Sequence, residues 1–443
     1  MKKQLLTGIL FAGLASLGFA QGLQRDLQFW RPYDQRGVGI FETGKADTVA
    51  FEGMKVRIGG HFAQQWQNLS HSNAATPVLN ANNVNVNELV EIGAGTNLAT
   101  ANLNIDVVLM DGVRLNLVSY LSSRHHPESW VKGGYLQFDK LPFLGNPEWF
   151  SKYMTLRVGH MEINYGDAHF RRTDNGNAMY NPFVGNYIMD AFATEVGAEV
   201  ILRKGDFTGV VSASNGLING GVQAPLLPGT TTGQTYKRNP SLIGKLAYDK
   251  QFDENFRLRL AGSVFHNSSS GRSTLYAGDR TGSNYWFAME AANATAKDNF
   301  TSGRVAPNFT NQVTALQFNA LLKAYGFELF GTFENAQGRT INEKIAGTPK
   351  RKVNQFAIDG IYRIGAKENL FLGVRYNQVK GELINATTEQ TVDRVAFGAG
   401  WFLTKNILMK GEYVNQNYKG YATGHINNGG NFKGVVIQAV VGF

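Results

Sequence analysis

The segment ATANLNIDVVLMDGVRLNL, residues 99–117, contains the pattern that decides the fold. Apolar and polar residues alternate along its first half, and such alternation is typical of a strand with one apolar and one polar face. Asp111 and Gly112 then interrupt the pattern, and the alternation resumes at Val113. Asp-Gly favours a two-residue type I′ turn, since both central positions of that turn require positive φ. The segment therefore predicts a β-hairpin.

The same pattern recurs along the chain, in segments of roughly ten residues bounded by turn residues. Further alternating segments begin at Phe192, Leu242, Leu316, Phe356, Val395 and Val435. Short turns alternate with longer polar connections, which lie near residues 69–96, 124–130, 164–190, 216–240, 268–311, 337–351, 382–390 and 420–432. Residues 283–291 are aromatic enough to resemble a strand, but counting them gives an odd number, whereas bacterial single-chain barrels have an even number. We predict an all-β fold, a transmembrane antiparallel β-barrel of about 16 strands, with 18 strands as the alternative.

The N-terminus has the features of a secretory signal peptide. Lys2 and Lys3 precede an apolar stretch, residues 5–17, and Gly18-Phe19-Ala20 supplies small residues at a cleavage site before Gln21. A membrane anchor is the alternative, but the apolar stretch is shorter than the roughly 20 residues that a spanning helix needs. The chain then divides into a signal peptide (1–20), a periplasmic N-terminal segment (21–52) and an outer-membrane barrel (53–443).

Physical constraints also favour a location in the outer membrane. Backbone polar groups cannot remain unpaired in hydrocarbon, and a closed barrel pairs all of them. A secreted sandwich or propeller is the soluble alternative, but strands this long with such unequal connections are unusual for those folds. We therefore expect export through the periplasm into a bacterial outer membrane, with membrane lipid and lipopolysaccharide around the barrel.

Composition excludes several classes of protein. The 443 residues include no Cys, which rules out disulfides, thiolate metal sites and a cysteine nucleophile. The formal net charge is +9, and removal of Lys2 and Lys3 lowers Lys plus Arg from 43 to 41 against 34 acids, which leaves +7. Export argues against a nucleic-acid partner, and no nucleic-acid-binding motif is present.

The excess of basic residues is also found on the polar face of the predicted strands. If the apolar face contacts lipid, the polar face lines the lumen, and this face includes Arg114, Arg157, Arg257, Arg259, Arg375 and Arg394. Rings of basic side chains in a narrow pore favour anions. The sequence thus predicts an anion preference, with a weakly selective pore as the alternative.

Three features give the chain its resemblance to a known family. They are the terminal Phe443 on an alternating strand, residues 135–138 (YLQF), and residues 156–166 (LRVGHMEINYG). The chain resembles the general bacterial outer-membrane porins, and more loosely the phosphate-selective porins. This resemblance implies passive diffusion of small hydrophilic solutes, a homotrimer, and a third external loop that folds inward to narrow the pore.

By that resemblance, the connection 164–190 is the constriction loop. It contains His169, Arg171, Arg172, Asp167 and Asp174. Arg and Asp groups facing each other across the pore would orient dipolar solutes. The alternative is an ordinary surface loop in which these residues pair with one another.

Nothing in the sequence supports catalysis or a bound cofactor. No zinc-protease motif, phosphate-binding loop, dinucleotide fingerprint or nucleophile elbow occurs in its required context, so we predict neither an enzyme nor a cofactor or metal site. Two other functions remain open: a structural or adhesion barrel whose lumen is blocked, and a barrel enzyme of the outer membrane. The role of residues 21–52 is also open among a plug, a partner contact and packing under the barrel.

Overall fold

The computed structural model describes most of the chain. The described residues are 26–97, 99–122, 129–174, 177–218, 221–229, 233–277, 282–299, 301–386 and 388–443. The predicted signal peptide, residues 1–20, and the cleavage site before Gln21 lie outside them. The described chain begins at Asp26.

Sixteen antiparallel strands form one closed sheet. They are β1 Lys55–Ser72, β2 Thr100–Met110, β3 Val113–Leu121, β4 Ser129–Phe138, β5 Met154–Glu162, β6 Thr194–Lys204, β7 Phe207–Ser214, β8 Ser241–Gln251, β9 Phe256–Asn267, β10 Gln312–Ala324, β11 Phe327–Arg339, β12 Arg351–Ile364, β13 Leu370–Gly381, β14 Gln390–Thr404, β15 Ile407–Lys419 and β16 Asn431–Gly442. Each strand pairs with its sequence neighbours, and β1 also pairs with β16, which closes the barrel. A two-residue segment, Gly95–Thr96, precedes β2 and also pairs with β1. The predicted antiparallel barrel of 16 strands is confirmed.

Helices are few and short. They are α1 Glu148–Tyr153 and α2 Ile341–Ile345, with 3-10 turns at Gln35–Gly37, Pro142–Leu144, Ala168–Arg171, Asn177–Tyr180 and Ala296–Asp298. No helix among the described residues is long and apolar enough to cross a membrane.

The connections alternate between tight turns and longer loops, as the sequence predicted, with one exception: the β4–β5 connection, residues 139–153, contains α1 and is longer than the β3–β4 loop. Asp111 and Gly112 join β2 to β3 as predicted, but the type I′ turn is wrong: Gly112 has a φ of 72°, whereas the φ of Asp111 is not positive, and the register of the hairpin shifts between Val108 and Met110. A Cβ at this glycine would lie 2.6 Å from the Lys140 side chain, so both conformation and space favour glycine. Residues 283–291 lie inside the β9–β10 loop, as expected. The loop predicted to begin at 69 begins later, because β1 continues to Ser72.

The two faces of the barrel differ in polarity and in exposure. On β1, the outward Val56 is 61% exposed, whereas the inward Arg57 is 8% exposed. On β12, the outward Phe356 is exposed and the inward Asp359 is buried. Apolar side chains thus cover the outside, and polar side chains are buried because other parts of the chain fill the interior.

Three segments of the described chain fill the barrel. They are residues 26–52, the described parts of the β5–β6 loop (163–174 and 177–193) and the described parts of the β9–β10 loop (268–277, 282–299 and 301–311). The largest buried apolar cluster combines loop residues with inward-facing strand residues, among them Ile188, Met189, Tyr276, Tyr285 and Phe432. The hydrophobic core of this protein therefore lies in the interior of the barrel, in the space that the sequence predicted to be an open lumen.

Candidate functional site: the interior of the barrel

The N-terminal segment enters the barrel at the end that carries the tight turns. The Gln28 side chain donates to Asp111 Oδ1 at 3.0 Å, and Tyr33 Oη donates to Asp106 Oδ2 at 2.7 Å. The Lys45 ammonium group donates to the Asp139 carbonyl oxygen at 2.6 Å. The sequence left three roles open for residues 21–52. These contacts correspond to the first of them, a plug in the periplasmic mouth of the barrel.

A buried cluster of four charged residues fixes this segment to the wall. Glu42 of the segment lies 2.9 Å from Lys245 Nζ and 2.8 Å from Arg259 Nη2. Asp167 of the β5–β6 loop lies 2.6 Å from Lys245 and 2.7 Å from Arg259. All four side chains are at most 2% exposed. We call Glu42, Asp167, Lys245 and Arg259 the latch, because they join the plug, the loop and strands β8 and β9.

Both carboxylates of the latch are held in the charged form. Burial opposes the charged form of Glu42, but attraction by Lys245 and Arg259 outweighs burial and holds its pKa well below the usual range. For Asp167, burial is again the largest effect, and Lys245 and Arg259 again lower the pKa. Within the latch two cations face two anions, and Arg259 also pairs with Asp249 of β8 at 3.1 Å.

The β5–β6 loop crosses the interior and is held by strands of the opposite wall. The backbone N–H of Ile188 donates to Asn377 Oδ1 at 2.6 Å. The N–H of Val184 donates to Glu412 Oε2 at 2.8 Å. These strand residues satisfy loop backbone groups that have no sheet partner, so the loop depends on the wall for its conformation.

The predicted loop residues lie inside the barrel but do not face one another across an open pore. Arg171 Nη2 lies 2.5 Å from Glu328 of β11, and Arg172 Nη2 lies 2.6 Å from Asp190 of the loop itself. Asp174 pairs with Lys132, and His169 Nδ1 lies 2.6 Å from Glu162 Oε1. The remaining predicted loop residue, Asp167, belongs to the latch.

The predicted strand arginines also point inward, and all of them have partners. Arg114 pairs with Asp106, Arg157 Nε donates to Gln137 Oε1 at 2.9 Å, and Arg257 pairs with Asp249 at 2.7 Å. Arg375 pairs with Asp359 at 2.6 Å. Arg394 donates to Gln416 and to the carbonyl oxygens of Asn186 and Gly303. Of the predicted residues, the structure brings Asp167 and Arg259 together in the latch and places Arg172 3.7 Å from Asp174. Arg257 and Arg259 share the carboxylate of Asp249.

The β9–β10 loop supplies interior residues that the sequence analysis missed. Tyr285 Oη donates to Glu412 at 2.5 Å, and Tyr276 Oη donates to Glu334 at 2.5 Å. For Tyr285 the sequence signal was the aromatic character of residues 283–291, which suits a buried segment as well as a strand, whereas Tyr276 lies outside that stretch.

A cavity of about 210 Å³ remains between the plug, the β5–β6 loop and strands β2–β5. Its lining includes the cations Arg31, Arg114, Lys132 and Arg157, together with Asn104, Asn116, His160 and Tyr180. Among the described lining residues, Glu162 is the one with a carboxylate. The carboxylates that pair with Arg114, Lys132 and Arg157 are not part of the lining, so the cavity wall presents more positive than negative charge.

Among the described residues, no group of three His, Asp or Glu side chains is arranged to hold a metal ion.

Solved structures share this architecture. The anion-selective porin from Comamonas acidovorans has 12% sequence identity and a TM-score of 0.51, over 88% of this chain and 100% of that chain. The outer membrane channel DcaP of Acinetobacter baumannii has 11% identity and a TM-score of 0.50, over 89% of this chain and 99% of that chain. No protein-family model matches the chain, and no curated protein matches it in sequence. The likeness establishes a porin-like barrel fold.

Proposed function

We propose that this protein is an outer-membrane channel of the porin type, which passes small hydrophilic solutes by diffusion. Its closed sheet with an apolar exterior and a polar interior meets the requirement that every backbone polar group in a membrane be paired. The similar folds of a porin and of an outer membrane channel support the same proposal. Export by the signal peptide, residues 1–20, remains part of it.

One observation carries the proposal: the cavity beside strands β2–β5, whose lining includes four cations. Most of the interior is closely packed, whereas this cavity is bounded on one side by the barrel wall and on the other by the plug and the β5–β6 loop. A solute that crosses the barrel next to these strands meets amides, hydroxyls and cations, together with apolar side chains such as Trp30, Phe41 and Met161. We infer that the path of solutes runs along this wall.

The charges of the cavity support an anion preference. Arg31, Lys132 and Arg157 line it, whereas the carboxylates that compensate Lys132 and Arg157 lie outside the lining. A low-dielectric wall strengthens the field of such cations within a narrow space. Small anions should therefore enter more readily than small cations.

The described conformation is closed, and movement of the plug would open it. Residues 26–52 occupy the mouth, and their buried charged contact with the wall is the latch. Displacing the plug separates Glu42 from two cations while Asp167 remains beside them. We infer that the barrel exchanges between a latched form, with the plug in the mouth, and an open form, with the plug displaced.

The constriction roles of Arg171, Arg172, His169, Asp167 and Asp174 remain predictions. In the described conformation the two arginines are bound by Glu328 and Asp190. Replacing both arginines with Ala tests the assignment, because a constriction role predicts a smaller anion preference and an unchanged reversal potential would reject it.

A second candidate, a structural or adhesion barrel with a blocked lumen, is favoured by the filled interior. The two candidates differ in conductance. Purified protein in a planar bilayer should give stable single-channel steps with a reversal potential that favours anions. A correctly folded barrel without conductance would instead support the structural role.

A homotrimer and the absence of catalysis remain predictions. Cross-linking tests the first, and hydrolase assays test the second.

A further inference from the structure

A small cavity lies between the two long loops and the barrel wall, and it is about the size of one water molecule. We call it the inner cavity. It is lined by Asn186 from the β5–β6 loop, by Ser283, Asn284, Tyr285 and Arg304 from the β9–β10 loop, and by Arg394 from β14. None of these residues lines the larger cavity beside strands β2–β5. Among the described lining residues, two are cations and none is an anion.

Arg394 is buried beside the inner cavity, and its hydrogen-bond acceptors among the described residues are neutral. Its exposed fraction is 1%. Nε donates to Gln416 Oε1 at 2.6 Å, and the two Nη atoms donate to the carbonyl oxygens of Asn186 at 2.5 Å and Gly303 at 2.8 Å. These bonds use three of the five N–H groups of the guanidinium, which leaves two for a ligand. None of them compensates the positive charge.

Arg304, the other cation of the inner cavity, shares its carboxylate with a second arginine. Arg304 Nη2 and Arg172 Nη2 lie 3.0 Å and 2.6 Å from the same oxygen atom, Asp190 Oδ2. All three side chains are at most 6% exposed. Arg172 also lies 3.7 Å from Asp174, which pairs with Lys132. One buried carboxylate therefore serves two guanidinium groups.

The buried charges around the inner cavity are not balanced. The set linked through Asp190, together with Arg394, contains four cations and two anions: Lys132, Arg172, Arg304, Arg394, Asp174 and Asp190. Glu412, which accepts the Tyr285 hydroxyl, is offset by Lys410 on the same inward face of β15. Arg375 is offset by Asp359. Because an uncompensated buried charge is costly, the remaining excess of positive charge favours a bound anion.

We propose that the inner cavity binds a small monovalent anion, a halide such as chloride, between Arg304 and Arg394. Guanidinium N–H groups form strong, charge-assisted hydrogen bonds with anions. A cavity of this size excludes solutes that carry a carboxylate or phosphate group, so the halide is a resident ion and not a transported solute. Because the lining residues come from both long loops and from β14, the ion joins the loops to the wall. The site therefore goes beyond the proposed function.

X-ray diffraction from crystals of the protein soaked in sodium bromide tests the location of the ion, because bromide replaces chloride and gives an anomalous signal. We expect an anomalous peak between Arg304 and Arg394. Absence of a peak at this position would overturn the proposal. Conductance plays no part in this measurement, so a failure here is distinct from a failure of the channel proposal.

The heat-modification temperature tests the same site in solution. For the wild type it should be higher in sodium chloride than in sodium gluconate of equal ionic strength, because gluconate is too large for the inner cavity and a bound ion stabilises the folded state. Arg394→Gln should abolish this difference and the bromide peak. Arg257→Gln is the matched control, since Arg257 is an inward arginine of β9 that pairs with Asp249, and it should retain both.

Equal temperatures in the two salts for the wild type, or the same loss in Arg257→Gln, would also contradict the proposal. Heat-modifiable migration verifies the folding of each variant. Arg304→Gln removes the other cation of the inner cavity and should have the same effect, so it replaces Arg394→Gln if that variant does not fold.

Discussion

Replacing Glu42 with Gln should release the plug. The substitution keeps the size of the side chain but removes the negative charge that lies within 2.9 Å of Lys245 and 2.8 Å of Arg259. Removing one partner of a buried ion pair costs about 3–5 kcal/mol. Asp167 still compensates part of the positive charge, and Gln retains one acceptor, so we expect a cost at the lower end of this range, about 3 kcal/mol. A destabilisation of the latched form by this amount shifts the equilibrium between latched and open forms roughly a hundredfold.

Single-channel recording in planar bilayers measures this shift as open probability. Glu42→Gln should open more often than the wild-type protein at the same voltage and salt concentration. Asp26→Asn is the matched control, because it is also a carboxyl-to-amide change in the plug, but its contact with Arg36 is about half exposed, with side-chain exposures of 44% and 45%. Exposed pairs contribute about 0–1 kcal/mol, so the control should behave as wild type. Equal open probabilities for folded Glu42→Gln and wild-type protein would refute the latch.

Further predictions concern pH, selectivity and stability. Because the pKa values of Glu42 and Asp167 are lowered, both carboxylates are charged and the latch should be at full strength above about pH 4.5. The latch should weaken as the pH falls through these lowered pKa values. The open probability should therefore be constant from about pH 5 to 8 and rise only in stronger acid. Arg157→Gln removes a cavity cation and should move the reversal potential toward that of a non-selective pore, whereas an unchanged potential would place the solute path elsewhere. Gly112→Val forces a β-branched residue into a positive φ and against Lys140, and should destabilise the barrel by about 1–3 kcal/mol, seen as a lower heat-modification temperature than for the wild type.

The barrel was predictable because its determinants are local. The alternation around Ile105 assigns a face to each residue, and Asp111-Gly112 gives the position of the turn, although not its conformation, without reference to the rest of the chain. The parity of short and long connections then gives the strand count, including the exclusion of residues 283–291. Strand ends were less certain: the extension of β1 to Ser72 depends on pairing with β16, which is remote in sequence.

The contents of the barrel were not predictable, because they depend on contacts between remote segments. The parity of Arg259 shows that it faces inward, but nothing near it in the sequence indicates that Glu42 will compensate its charge. Arg171 was placed in an inward loop, yet its partner Glu328 lies 157 residues away. Periodicity assigns a side chain to a face, whereas the segment that covers that face is determined by packing of the whole chain.

The most direct test of channel function is the single-channel conductance of the folded protein in a planar bilayer, recorded for the wild type and for Glu42→Gln. A channel closed by a latched plug predicts discrete steps in both proteins, with more frequent openings in the variant and a reversal potential that favours anions. Complete absence of conductance from both folded, heat-modifiable barrels would contradict it and leave a blocked structural barrel.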